Sequence, residues 1–194
     1  MTRGINIALV GAGKFRGTDQ GEGNFKNTDH SAHNFNKTDQ GEGVSPNANN
    51  RLREIETLAY ETGRAVAAEG WNLICGGLEG VMEAAARGAN DNGGTTIGIL
   101  PGHRHDEANP HINIAIPTGL GHARNAVIAV SADAMIAVGG EHGTLSEIAL
   151  GLKLGKPVVD LVIPGKPKRE IERLLHVNTP GEAINKIRHA IGGS

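Results

Sequence analysis

A chain of 194 residues is long enough for one domain, or for one domain carrying an insertion. Hydrophobic residues make up 38% but aromatics only 3%, so the core must be built from Ala, Val, Ile and Leu; this suits helices on a parallel sheet and argues against an aromatic-filled sandwich. A formal charge of −2 gives no electrostatic pull toward nucleic acid or an anionic membrane, and no segment reads as a signal peptide or a bilayer span, so a cytoplasmic protein is expected.

Taken in chain order, the first strand is the apolar run Ile5 to Val10, followed directly by Gly11-Ala12-Gly13. Residues 14–43 break the pattern. They are three tandem decapeptides, KFRGTDQGEG, NFKNTDHSAH and NFNKTDQGEG, and hold all three phenylalanines, at 15, 25 and 35. The period is too short for helical solenoid repeats, and polar decapeptides bury little. The segment reads as a flexible expansion of the first βα loop within a single domain spanning 1–194; a lid or a partner-docking loop is the alternative. Beyond it, Leu52, Ile55, Leu58, Ala59, Thr62 and Val66 share one face of a helix that ends at Gly70. Trp71 to Cys75 is the next strand, and Gly76-Gly77 and Gly80 lead into a small-residue helix over Val81 to Ala89. Cys75, the single cysteine, excludes an internal disulfide and reads as a buried, inert thiol. Strands are expected at Thr95–Leu100 and Ile112–Ile116. A helix over Ala123 to Val130, apolar almost all round, should be buried, in part against another subunit.

The strand Ala134 to Val138 leads into Gly139-Gly140 and Gly143, then into a helix marked by Leu145, Ile148, Ala149 and Leu152 that Gly155 ends. Val158–Val162 is a further strand. Thr179 as N-cap, Pro180 at the first position and Glu182 at the third announce the last helix. Strands alternating with helices predict a three-layer, doubly wound, Rossmann-like α/β fold with a mainly parallel sheet covered on both faces.

Strand, glycine turn, helix is the unit in which helix N–H groups face an anion, so the glycine loops are the candidate phosphate sites. Gly11 and Gly13 alone are weak evidence. The further glycine of the dinucleotide fingerprint and its ribose-binding acid are missing, as is a P-loop Gly-Lys-Ser/Thr, so NAD and NTP hydrolysis are disfavoured. Gly76, Gly77 and Gly80 allow a phosphate close to the backbone. Thr118 and Gly119 repeat the pattern and add Arg124 in a first helical turn, where a guanidinium could grip phosphate bidentately; the alternative is that Arg124 pairs with a helix acid or a neighbouring subunit. Gly139, Gly140 and Gly143 complete the set with Thr144, which could bind phosphate or cap its helix. Glu147 would then close a Thr–Glu capping box. His103, His105 and His111 read as solvated loop histidines rather than a metal site.

The phrases GGLEGVMEAAARGA, TGLGHARN and VGGEHGTLSEIALGLKLGKPV resemble the Rossmann-like superfamily that unites the Lonely Guy phosphoribohydrolases with the molybdenum cofactor carrier proteins, often labelled lysine decarboxylases. The resemblance covers most of residues 5–162 outside the repeats and lies nearer the carrier branch. Lonely Guy enzymes carry Pro-Gly-Gly-x-Gly-Thr-x-x-Glu. Here Gly139 stands for the Pro and Glu141 for the second Gly, while Gly140, Gly143, Thr144 and Glu147 match. Those enzymes also use Arg followed by Lys; Arg124 matches and Asn125 replaces the Lys. The resemblance implies a phosphorylated ligand, the molybdenum cofactor or a nucleotide, in a homodimer or homotetramer. Pyridoxal phosphate is not expected. It leaves three functions open: a cofactor carrier, a nucleoside 5'-monophosphate phosphoribohydrolase with Arg124 and Glu147 as catalytic residues, and a non-catalytic nucleotide sensor.

Overall fold

The apolar runs become the strands of one seven-stranded sheet in which every neighbouring pair is parallel. The computed structural model describes residues 4–13, 46–140 and 142–192, and of residues 46–49 the backbone only. The decapeptide repeats at 14–43, and with them the expected insertion in the first loop, lie outside the described residues. The strands are β1 (Asn6–Gly11), β2 (Asn72–Cys75), β3 (Thr96–Leu100), β4 (Ile114–Pro117), β5 (Ala134–Val138), β6 (Val158–Leu161) and β7 (Leu175–Val177). Their spatial order is β4-β3-β2-β1-β5-β6-β7. Strand order therefore reverses between β1 and β5, and the connections leaving these two strands diverge to opposite faces. The three-layer expectation holds.

Alternation along the strands sorts the core into two layers. Ile7 and Leu9 of β1 and Ala134, Ile136 and Val138 of β5 face α1 (Pro46–Ala68), α2 (Val81–Asp91) and α5 (Pro180–Gly192). Ala8, Val10, Met135 and Ala137 face α3 (Arg124–Ser131) and α4 (His142–Lys153). Glycines let α1 and α2 touch backbone to backbone: a Cβ on Gly63 would strike the Ala85 carbonyl, and one on Gly88 the Tyr60 carbonyl. The last helix starts as its sequence predicts, with the Glu182 N–H donating to Thr179 Oγ1 at 3.2 Å.

Two expectations are refined. First, a single chain covers only one face of α3: Arg124, Ile128 and Ala129 are buried, and Val130, 64% exposed, is left on the part expected against another subunit. A helix laid on one outer face of a sheet covers only the side that meets the strands, whatever its composition. Second, β7 adds a strand that no apolar run announced. With three residues, half-buried, it pairs with the outer edge of β6 through Val159 opposite Leu175. No described helix is long and apolar enough to cross a membrane.

Candidate functional site

The carboxyl ends of β1, β2 and β5 meet where strand order reverses, which is where open parallel sheets form their ligand crevice. Small residues let the three loops approach one another there. A Cβ on Gly11 would strike the Val81 side chain and the Val138 carbonyl, and one on Gly80 the carbonyls of Ala12 and Gly13. The Val81 N–H donates to the Ala12 carbonyl at 3.1 Å, tying the start of α2 to the first loop. A Cβ on Gly140 would overlap Thr144 Oγ1 and reach the Ala12 N at 3.1 Å, so the β5 loop joins the same cluster.

Arg124 enters from the far side. β4 ends at Pro117, one 3-10 turn over Gly121–Ala123 follows, and Arg124 is the first residue of α3. Its guanidinium lies on Gly76, whose missing side chain leaves the space it fills. Although 8% exposed, it is not fully satisfied: Nη1 donates to Asn125 Oδ1 at 3.0 Å, while Nε is buried with no hydrogen-bond partner among the described residues. Nη1 also faces Glu147 Oε1 at 3.5 Å, an ion pair longer than a good charge-assisted hydrogen bond. Burial dominates both groups. Desolvation pushes the Glu147 carboxyl up to about 7 despite the opposing pull of Arg124, and desolvation lowers Arg124 despite Glu147. The pair is loose and incompletely compensated, which suits a cation that can exchange partners. Arg124 thus combines two sequence alternatives: it pairs with a helix acid, and it stands at the glycine cluster.

The capping-box reading of Thr144 and Glu147 is corrected. Helix α4 starts at His142, so Thr144 is its third residue, buried against Gly140, and Glu147 turns to Arg124 instead of back to the helix start. Asn125 bridges the helices, donating to Ser146 Oγ at 3.2 Å, and Ser146 Oγ donates to the Gly143 carbonyl. Among the described residues nothing lies within 4 Å of a Cβ on Gly143. Cys75, at the end of β2, is buried; desolvation first of all pushes its thiol up to about 11, against a Gly77 N–H that approaches Sγ at 3.3 Å.

Other predicted residues stand apart. Gly77 packs on Leu100 of β3. Thr118 Oγ1 donates to the Leu100 carbonyl at 2.7 Å, and Gly119 packs against the His103 ring, so both serve the β3–β4 edge of the sheet. Among the described residues no group of His, Cys, Asp and Glu could hold a metal ion. Two surface hollows, of about 390 and 500 Å³, lie elsewhere, beside Gly4 and Asp133 and beside Tyr60 and Arg87.

Sequence reasoning missed Arg169. From the connection between β6 and β7, its Nη2 donates to the carbonyls of Gly139 at 2.7 Å and Gly140 at 3.0 Å, and its Nη1 to Asp160 Oδ1 at 2.5 Å. The signal was Asp160 itself. A carboxylate inside the apolar run Val158-Val159-Asp160-Leu161 calls for a cationic partner, and a basic cluster, Lys166, Lys168 and Arg169, follows it within nine residues.

The chain resembles several known proteins. It is 48% identical over 132 residues to an uncharacterized protein of Archaeoglobus fulgidus, covering 68% of this chain and 84% of that one. It is 34% identical over 98 residues to the cytokinin riboside 5'-monophosphate phosphoribohydrolase of Mycobacterium tuberculosis, covering 49% of this chain and 52% of the relative. The solved molybdenum cofactor binding protein of Rippkaea orientalis superposes with a TM-score of 0.72 at 31% identity, over 98% of this chain and 99% of that one. The molybdenum cofactor carrier protein of Chlamydomonas reinhardtii gives 0.72 at 29% identity with the same coverage. Residues 42–184 match the SLOG cluster4 family, and the chain belongs to that family.

Proposed function

We propose that the chain binds a phosphorylated heterocycle at the β1–β5 switch point and carries the molybdenum cofactor, a pterin with a terminal phosphate, as cargo. The observation that carries this reading is Arg124: a buried guanidinium laid on a glycine, its buried Nε–H without a partner among the described residues, beside the glycine loops. Such a donor set suits a phosphate, which accepts from a guanidinium fork and from backbone N–H groups together. Arg124 would hold the phosphate with the loops at Gly11, Gly13, Gly76, Gly80, Gly140 and Gly143. Likeness to the two cofactor-binding structures over nearly the whole of each chain supports the pterin as ligand.

A second reading is favoured by Glu147. A carboxyl titrating near 7 beside a phosphate-binding arginine suits hydrolysis of a nucleoside monophosphate. Water would add to ribose C1' as the C1'–N bond breaks, its electron pair and a proton going to the base, with ionised Glu147 stabilising the oxocarbenium-like charge. Asn125, in place of the lysine of the Lonely Guy enzymes, weighs toward the carrier.

The test is direct. Purified protein from a cofactor-making host is examined for pterin fluorescence, then incubated with AMP and assayed for free adenine. Pterin without adenine release supports the carrier. Adenine release overturns it in favour of the enzyme, and AMP binding with neither leaves the sensor.

We propose in addition a homodimer or homotetramer, because α3 and α4 leave Val130 and Leu145 exposed on one side. Light scattering that finds a monomer at micromolar concentration refutes it.

A further inference from the structure

We infer that Arg169 is a positioning residue of this site, acting through the Gly139–Gly140 turn; the inference rests on the ligand-binding reading above. Gly139 and Gly140 have φ of 60° and 85°, two successive residues in the left-handed region. Glycine reaches that region without steric cost, but it also leaves it freely, so the turn needs an outside restraint. Arg169 supplies one. A single planar guanidinium meets three acceptors: Asp160 Oδ1 through Nη1, and the two glycine carbonyls through Nη2.

The restraint reaches the ligand side through the peptide plane. The described chain has no cis peptide, so the Gly140 N–H is antiparallel to the Gly139 carbonyl. A carbonyl held on Arg169, beside β6, therefore turns that N–H away from β6. Gly140 itself packs close to Ala12 of the first loop and Thr144 of α4, both of which a Cβ there would meet. A cation on the carbonyl also polarises the peptide and strengthens its N–H as a donor to an anion.

Asp160 in turn fixes Arg169. It is 3% exposed on β6, opposite His176 of β7, whose Nδ1 lies 3.5 Å from Oδ2 and is buried with no hydrogen-bond partner among the described residues. The planar fork matters as much as the charge. A lysine offers one ammonium that cannot span a carboxylate and two carbonyls in a fixed plane.

The experiment uses the full chain with three variants: Arg169→Lys, the pair Asp160→Asn with Arg169→Gln, which leaves no buried carboxylate unpaired, and Arg124→Ala as a control. Hydrogen exchange without ligand is followed over peptides covering 136–145 and over α5, and AMP affinity is measured by calorimetry. In the paired variant we expect faster exchange at 136–145 with α5 unchanged, and AMP affinity lowered about tenfold or more; Arg169→Lys should recover part of it. Unchanged exchange at 136–145 overturns the inference without reference to any ligand. Faster exchange with AMP affinity within about twofold of the parent overturns it too, because the clamp is then structural only. If Arg124→Ala abolishes AMP binding in that case, the ligand-binding reading survives alone. A parent chain that binds neither AMP nor the molybdenum cofactor removes that reading and the positioning role with it.

Discussion

Two parts of the sheet carry the same sequence signature, a strand followed by glycine, yet use it differently. At the β1–β5 switch point, Gly76 makes room for a buried guanidinium, and Gly140 brings the β5 loop against Thr144 and the first loop. At the β3–β4 edge, Gly119 makes room for the ring of His103, and Thr118 spends its hydroxyl on the Leu100 carbonyl. The first region concentrates incompletely satisfied charge in a buried place; the second is a satisfied edge with Ile114 and Ile116 about half exposed. A glycine after a strand therefore says only that something comes close. What comes close decides whether the position binds or packs.

The comparison breaks most readily at Arg124. Arg124→Ala should cost AMP or pterin binding about 2–5 kcal/mol, the usual loss of a desolvated charge-assisted contact. Its fold should suffer less, because Glu147 then takes up a proton. Calorimetry beside thermal melts measures both, and unchanged affinity would remove Arg124 from the site.

Glu147 sharpens the comparison through pH. Its folded-state carboxyl is raised from 4.5 to about 7, chiefly by burial. The folded chain therefore holds this proton more tightly than the unfolded one. The group's contribution to stability is fully present below about 4.5, declines as pH rises, and is gone above about 7. Glu147→Gln lacks this titration, so the stability of the parent relative to the variant should fall by on the order of 1–3 kcal/mol across that window. Above about pH 7 the ionised carboxylate also opposes an anionic ligand, so parent affinity for AMP should decline there while the variant stays flat. Equal pH profiles in denaturant melts would show that Glu147 is not the titrating group.

A smaller contrast comes from the two glycines. Gly76→Ala should lower AMP affinity by about tenfold, or ~1.4 kcal/mol, because a Cβ there displaces the Arg124 guanidinium. Gly119→Ala, at φ 66° and against His103, should cost the fold about 1 kcal/mol and leave affinity alone. Affinity loss in both would mean the site extends to the β4 edge. The smallest effect is expected from deleting residues 14–43, all but the last two of which lie outside the family match at 42–184. Loop-closure entropy changes slowly with length, so stability should move by about 1 kcal/mol or less. An insoluble deletion variant would show the repeats to be packed structure.

Much of the fold was legible because β-strand and helix periods act locally. The runs at Ala134–Val138 and Val158–Val162, the glycine stop at Gly70 and the Thr179 cap all stand where their residues imply. What escaped was non-local. β7 has too few apolar residues to announce itself, and composition does not say how much of α3 the sheet will cover. The capping-box reading of Thr144 and Glu147 failed for the same reason: the local pattern was sound, but Arg124 competes for the carboxylate across the sheet end.

The sequence by itself determined the doubly wound architecture, the glycine loops and the presence of Arg124 and Glu147 in a family pattern. These follow from hydrophobic period, from glycine's conformational freedom and from residue identity, all written along one dimension. Only the tertiary structure decided which loops share a crevice, that Arg124 lies on Gly76 with its Nε–H unpartnered among the described residues, and that Arg169 reaches back from beyond β6 to hold Gly139 and Gly140. Those are contacts between residues some 30 to 130 positions apart, set by strand order and by the need of each buried charge for a partner, and no local pattern encodes them.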